Sequence, residues 1–79
     1  KKILSKTISV QTVESEIAKS LENVQNQFEN VEIGSYPFFR LGKIGVSIVI
    51  RSTENKQIDG CYKKIISFLK EKEIRIIER

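Results

Sequence analysis

Residues 31–50, VEIGSYPFFRLGKIGVSIVI, contain two strand-like runs joined by a turn. In the second run, apolar residues occupy one set of alternate positions, which is typical of a half-buried strand. That set is Ile44, Val46, Ile48 and Ile50, and the opposite set is Gly45, Ser47, Val49 and Arg51. Val31 and Ile33 open the first run, and Arg40–Lys43 is predicted to be the hairpin connection.

The residues before this hairpin predict a strand followed by a helix. Leu4, Ile8 and Val10 alternate with small hydroxyl residues, which indicates another half-buried strand. Thr12 is then expected to be the N-cap of a helix of about four turns. Its apolar stripe recurs at helical spacing. The stripe consists of Ile17, Leu21, Val24 and Phe28.

The residues after the hairpin predict a second helix and a short last strand. Ser52 or Thr53 is expected to cap the helix, and Gly60 is expected to make its beginning irregular. The predicted buried stripe is Ile58, Cys61, Tyr62, Ile65, Phe68 and Leu69. Ile74–Ile77 is the candidate last strand.

The element order is therefore β-α-β-β-α-β, which is the ferredoxin-like, split βαβ pattern of α+β proteins. Right-handed crossovers would place both helices on one face of a four-stranded antiparallel sheet. If residues 74–77 do not pair, a three-stranded βαββα sheet is the alternative.

The length of 79 residues limits the chain to one small domain, residues 1–79. With one cysteine and no histidine, neither an internal disulfide nor a structural zinc site is expected. No apolar run approaches the roughly 18 residues of a membrane span, so a cytoplasmic protein without membrane contact is predicted. The chain lacks methionine and begins with Lys1, which suggests a fragment of a longer protein.

The sequence predicts no catalytic residue and no cofactor or metal in this segment. Cys61 lies on an apolar helix face and has no histidine to activate it, so it is predicted to be a core residue. The first strand–helix loop, residues 10–13, lacks the arginine that ferredoxin-like acylphosphatases need for a phosphoryl group.

Aromatic residues beside a proline suggest an interface. Proline cannot donate to a sheet ladder, so the strand that contains Pro37 should be an edge strand or end there in a bulge. The candidate interface residues are Gly34, Ser35, Tyr36, Pro37, Phe38 and Phe39. Alternatively, Phe38 and Phe39 straddle the sheet, with one in the core and the other partly covered.

A basic cluster is the second candidate site. Arg40, Lys43 and Arg51, with Lys56, could gather near the hairpin and attract a nucleotide or nucleic acid. An ordinary solvated face is the alternative. The third strand lacks the aromatic residues on which RRM domains stack RNA. Gly42–Gly45 has the GxxG spelling of KH domains but is predicted to join strands rather than helices.

Residues 29–39, ENVEIGSYPFF, resemble the region that follows the catalytic domain in the molybdopterin-binding-like (MoCF) family. That family includes the competence/damage-inducible protein CinA and the molybdopterin-binding-like half of FAD synthase. The matching positions are Val31, Ile33, Gly34, Ser35, Tyr36 and Pro37, followed by the strand Gly45–Arg51. The helix opening at Glu14–Ala18 is also similar.

The resemblance implies a KH-like accessory domain whose upstream neighbour carries the chemistry. It implies a parent enzyme that hydrolyses a nucleotide pyrophosphate with a divalent metal. Two hypotheses follow. In the first, this domain packs through residues 34–39 on the upstream catalytic domain or in a homo-oligomer. In the second, it binds nucleic acid or a phosphorylated ligand.

Overall fold

A computed structural model of the chain describes residues 2–78 and has, within that range, four strands and two helices in the predicted order. The elements are β1 (Leu4–Gln11), α1 (Glu14–Gln25), β2 (Glu32–Arg40), β3 (Lys43–Ser52), α2 (Asn55–Glu71) and β4 (Arg75–Glu78). The sheet order is β2-β3-β1-β4, and all three neighbouring pairs are antiparallel. The α+β, ferredoxin-like prediction is confirmed, and the three-stranded alternative is wrong because β4 pairs with β1.

One face of the sheet and one face of each helix form the core. The alternation predicted for β1 and β3 is confirmed by their fully buried residues, which are Ile8, Val10, Val46, Ile48 and Ile50. The helices contribute Ile17, Leu21, Val24, Ile58, Cys61, Ile65 and Leu69. The other face of the sheet therefore lies on the side away from the helices, and we call it the open face.

The first helix starts later and ends earlier than predicted. Val13, rather than Thr12, is the N-cap residue of α1, and no side chain caps the helix. The helix ends at Gln25, so it has 12 residues, just over three turns. Phe28 lies beyond it and packs beside Gly60, where a Cβ would lie 3.1 Å from the Phe28 ring. The absent side chain of Gly60 thus leaves space for that ring.

The second helix runs without interruption from Asn55, so the expected irregular start near Gly60 is wrong. Its N-cap residue is Glu54, and no side-chain cap bond forms there. Ser52 instead acts just before the helix. Its hydroxyl accepts a hydrogen bond from the Glu54 backbone N–H at 3.0 Å and donates one to the Asn30 carbonyl at 2.7 Å.

The predicted hairpin is confirmed, and two residues connect its strands. Leu41 and Gly42 have φ angles of 52° and 75°, the positive pair found in type I′ turns. Pairing continues without a register shift from Arg40 opposite Lys43 to Glu32 opposite Arg51. β2 is an edge strand, as Pro37 requires, and the bulge alternative is wrong.

Gln25, the last residue of α1, closes part of the free edge of β2. Its side-chain Oε1 accepts a hydrogen bond from the Ile33 N–H at 2.9 Å, and its Nε2 donates to the Val31 carbonyl. A strand edge leaves such groups without partners. One side-chain amide therefore replaces the partner strand at these two positions.

Replacing Gln25 with alanine should lower the free energy of unfolding by about 1 to 3 kcal/mol, because both backbone groups lose their partner. Gln25→Glu keeps the acceptor for Ile33 but sets a carboxylate oxygen against the Val31 carbonyl oxygen, so it should lower stability as well. Urea unfolding of both variants measures these losses. Equal stabilities for wild type and Gln25→Ala would contradict the role assigned to the amide.

Candidate functional site

The candidate interface residues divide between the two faces of β2. Because successive strand residues point to opposite sides, Gly34, Tyr36 and Phe38 lie on the open face. Ser35, Pro37 and Phe39 lie on the helix side of the sheet. The six residues therefore do not form one flat surface, although both sets lie along the same edge strand.

Neither Phe38 nor Phe39 enters the core, so the expectation that one of them is buried there is wrong. Phe38 is half-buried on the open face, where its ring lies against Gly45 of the neighbouring strand. Phe39 is 69% exposed on the helix side.

An exposed apolar patch covers the helix side of the hairpin end. Phe39 lies directly opposite Ile44, and both are beyond the cover of the helices. Ile44 is 53% exposed, whereas Val46, two positions further along β3, is fully buried. Pro37 is also exposed, and Leu41 at the turn is 98% exposed. We call these residues, Pro37, Phe39, Leu41 and Ile44, the hairpin-tip patch.

Leu41 combines an exposed apolar side chain with an unfavourable backbone conformation. Its φ of 52° is left-handed, a region that costs an L-residue other than glycine, asparagine or aspartate roughly 1 to 2 kcal/mol. Type I′ turns prefer asparagine, aspartate or glycine at this position. The hairpin itself therefore does not explain why leucine is present.

The start of α1 is joined to the edge strand next to the patch. The Ser35 hydroxyl donates a hydrogen bond of 2.6 Å to a carboxylate oxygen of Glu14. Gly34, on the other side of the strand, leaves room for the Tyr36 ring, because a Cβ there would lie 2.8 Å from the Tyr36 hydroxyl. These contacts give Ser35 and Gly34 structural roles beside the exposed residues.

The predicted cluster of cations is not formed. Arg40 and Lys43 face each other across the hairpin turn. Arg51 lies eight positions along β3 from Lys43, about 27 Å at roughly 3.4 Å per residue. It pairs loosely with Glu32 at 3.9 Å. Lys56 follows that far end, in the first turn of α2, so one small phosphate group cannot contact all four cations.

A groove at this far end is lined by polar groups that already bond to one another. The residues that line it include Asn30, Ser52 and Glu54, and Arg51 lies beside them. The Asn30 amide donates to the Glu54 carboxylate at 3.0 Å. Together with the bonds of Ser52, this contact ties the segment before β2 to the start of α2. The polar groups of this groove therefore hold two segments of the domain together.

The structure places Cys61 in the core, as predicted. Burial raises the pKa of its thiol from 9.0 to about 11. Within residues 2–78, no group of three or more histidine, cysteine or acidic residues could hold a metal ion. Gly42–Gly45 lies at the turn and start of β3, not between helices as the KH clamp requires. No helix in the described part of the chain is long and apolar enough to cross a membrane.

The raised pKa of Cys61 predicts a loss of stability at alkaline pH. The unfolded thiol ionises near pH 9, whereas the folded thiol keeps its proton until about pH 11. Its contribution to stability is therefore complete below pH 9 and decreases as the pH rises toward 11. Urea unfolding across this range should show a steeper decline for wild type than for Cys61→Ala. Identical slopes would contradict the burial of the thiol.

Comparison with known proteins identifies one family. The family model described as "FAD synthase, middle domain" matches residues 2–78, nearly the whole chain. No curated protein matches the sequence significantly.

Proposed function

The chain belongs to the FAD synthase middle-domain family, and from this premise we propose that it is a non-catalytic accessory domain of a larger enzyme. In this proposal, the hairpin-tip patch packs on a neighbouring domain of the same polypeptide. That neighbour is an upstream, molybdopterin-binding-like domain, related to the one in CinA, which hydrolyses a nucleotide pyrophosphate with a divalent metal. The accessory domain itself uses no cofactor, and the enzyme is cytoplasmic.

Leu41 carries this proposal. It is 98% exposed and has a left-handed backbone, so it costs stability in the isolated domain without making contacts there. Unfavourable conformations of this kind are concentrated at functional sites. Contact with a neighbouring domain would bury Leu41 together with Phe39 and Ile44.

The edge of β2 favours contact through side chains rather than through strand pairing. A two-residue hairpin closes on a hydrogen-bonded pair, so alternate residues of β2 direct their backbone groups away from β3. Pro37 is one of these residues and has no N–H to offer. Gln25 already occupies groups of Val31 and Ile33. A long run of free backbone groups is therefore absent between residues 31 and 39.

Leu41→Asn should separate docking from folding. Asparagine suits the first position of a type I′ turn, so the variant domain should be at least as stable as wild type. Removal of one buried leucine should weaken docking by about 10- to 150-fold, from roughly 1.5 to 3 kcal/mol of burial. Sedimentation of the chain with the enzyme's preceding domain, supplied as a separate polypeptide, measures docking.

Ile77→Asn is the matched control, because Ile77 is also an exposed apolar residue, at 49%, but lies on β4, at the opposite edge. Docking should survive this change. If Leu41→Asn docks as tightly as wild type, the patch is not the contact. A salt-resistant dimer of the chain alone that Leu41→Asn disrupts would make a second copy, rather than the neighbouring domain, the partner.

A further inference from the structure

The open face has a composition unlike that of a passive sheet surface. Strand alternation and register assign its residues. They are Glu32, Gly34, Tyr36, Phe38 and Arg40 on β2; Lys43, Gly45, Ser47, Val49 and Arg51 on β3; Ser5, Thr7, Ser9 and Gln11 on β1; and Arg75 and Glu78 on β4. Within residues 2–78, both helices pack on the other side of the sheet. Aromatic, hydroxyl and cationic groups therefore share one accessible surface.

Two aromatic rings lie against glycines on this face. Three atoms of Tyr36 lie 2.8 to 3.1 Å from the place where a Gly34 Cβ would be, so the side chain lies across that glycine. Phe38 covers Gly45 of the adjacent strand in the same way. A ring that rests on the sheet by one side turns its other side outward, and Tyr36 is 50% exposed.

Positive charge is concentrated at the hairpin end of this face. The Arg40 guanidinium lies 4.9 Å from the centre of the Phe38 ring, which holds it above the sheet. Lys43 is opposite Arg40. Arg75, on β4, is three strands from Arg40, about 14 Å across the sheet at the usual strand spacing. On the central strands β1 and β3, the described open-face residues include no acidic side chain. Two acidic residues lie on the outer strands: Glu32 is at the far end of β2 beside Arg51, and Glu78 on β4 is opposite Ser9.

Hydroxyl groups lie between the rings and β4. Tyr36 is opposite Ser47, and Ser47 is opposite Ser9. The hydroxyls of the two serines are 3.1 Å apart, within hydrogen-bond distance. Ser9 itself is buried, at 4% exposure, so the hydroxyls that a ligand could reach are those of half-buried Ser47 and exposed Thr7. A hydroxyl can donate and accept, so these two can bond to either kind of polar group on a base edge.

We propose that the open face binds single-stranded nucleic acid. In this arrangement, bases stack on Tyr36 and beside Phe38, while Arg40, Lys43 and Arg75 contact phosphates. Stacking on aromatic rings together with cationic backbone contacts is the general means of binding single strands. An acidic protein would use the cations but would not require the outward face of the Tyr36 ring. The stacking surface lies on β2, and this position distinguishes it from the aromatic positions of RRM domains.

The test is fluorescence anisotropy of the chain with a labelled ten-nucleotide uridine oligomer. Three phosphate contacts predict that log K falls against log salt with a slope of about −2. Tyr36→Ser, which changes no charge, should weaken binding by about 5-fold to 150-fold. Lys43→Glu with Arg75→Glu should abolish it at moderate salt. The control pair is Lys63→Glu with Lys64→Glu, which makes the same charge change on α2 and should retain binding.

Several outcomes would overturn this proposal. One is the absence of binding at low salt. Another is equal loss in the α2 control pair, which would indicate attraction to net charge alone. A third is full binding by Tyr36→Ser together with equally tight binding of polyglutamate, which would make the face a dock for an acidic protein. Unchanged oligomer binding by Leu41→Asn would show that this site is independent of the hairpin-tip patch and would support the proposal.

Discussion

Replacing Gly45 with valine is expected to lower the free energy of unfolding by about 2 to 3 kcal/mol, the upper part of the usual overpacking range. A Cβ at Gly45 would lie 2.7 Å from a Phe38 ring atom and 2.8 Å from the Val10 carbonyl oxygen. The ring can rotate away, but the carbonyl belongs to β1, which pairs with β3 at the centre of the sheet. A domain of this size has only about 4 to 12 kcal/mol in total.

Gly34→Val is the matched control for this change. The three nearest atoms to a Cβ at Gly34 all belong to the Tyr36 side chain, which can swing into solvent. Its cost should therefore be clearly smaller than that of Gly45→Val. Urea unfolding of both variants gives the comparison. Equal losses would mean that the Val10 carbonyl does not limit the space above Gly45.

Ile48→Ala should cost about 2 to 5 kcal/mol, whereas Ile44→Ala should cost less than about 1 kcal/mol. Both residues lie on the helix side of β3, four positions apart. Ile48 is fully buried by the helices, but Ile44 is beyond their cover. The same chemical change thus leaves a cavity at one position and only removes exposed surface at the other.

Thermal or urea unfolding of the two variants measures where the core ends. A large loss for Ile44→Ala would show that Ile44 is packed within the domain, which would remove it from the hairpin-tip patch. A small loss for Ile48→Ala would contradict the packing of α1 and α2 on this face of the sheet.

The fold could be predicted because its signals are local. Alternation in residues 44–50 and the two apolar helical stripes identified the elements, and their order indicated the topology. The helix ends were less predictable. Phe28 continues the spacing of the α1 stripe, yet it reaches the core from outside the helix by packing against Gly60. That contact joins distant parts of the chain, and no local pattern indicates it.

The candidate sites were predicted less well, because a cluster in sequence is not a cluster in space. Arg51 was grouped with Lys43 near one end of the hairpin, but the two residues lie near opposite ends of the extended strand β3. Strand alternation could have divided residues 34–39 between two faces. Leu41 in an Arg-Leu-Gly-Lys turn was also a readable signal, since leucine is unusual where type I′ turns need positive φ. The bonds of Gln25 to β2 required the tertiary structure.

Docking should bury the hairpin tip against a neighbouring domain in the longer polypeptide. Amide hydrogen exchange at Phe39–Lys43, measured in this chain alone and in the longer polypeptide, tests this burial. Docking predicts that exchange of these amides slows at least about tenfold in the enzyme and that Leu41→Asn restores the fast rate. Equal exchange in the two forms, with no effect of Leu41→Asn, would contradict burial of the hairpin tip.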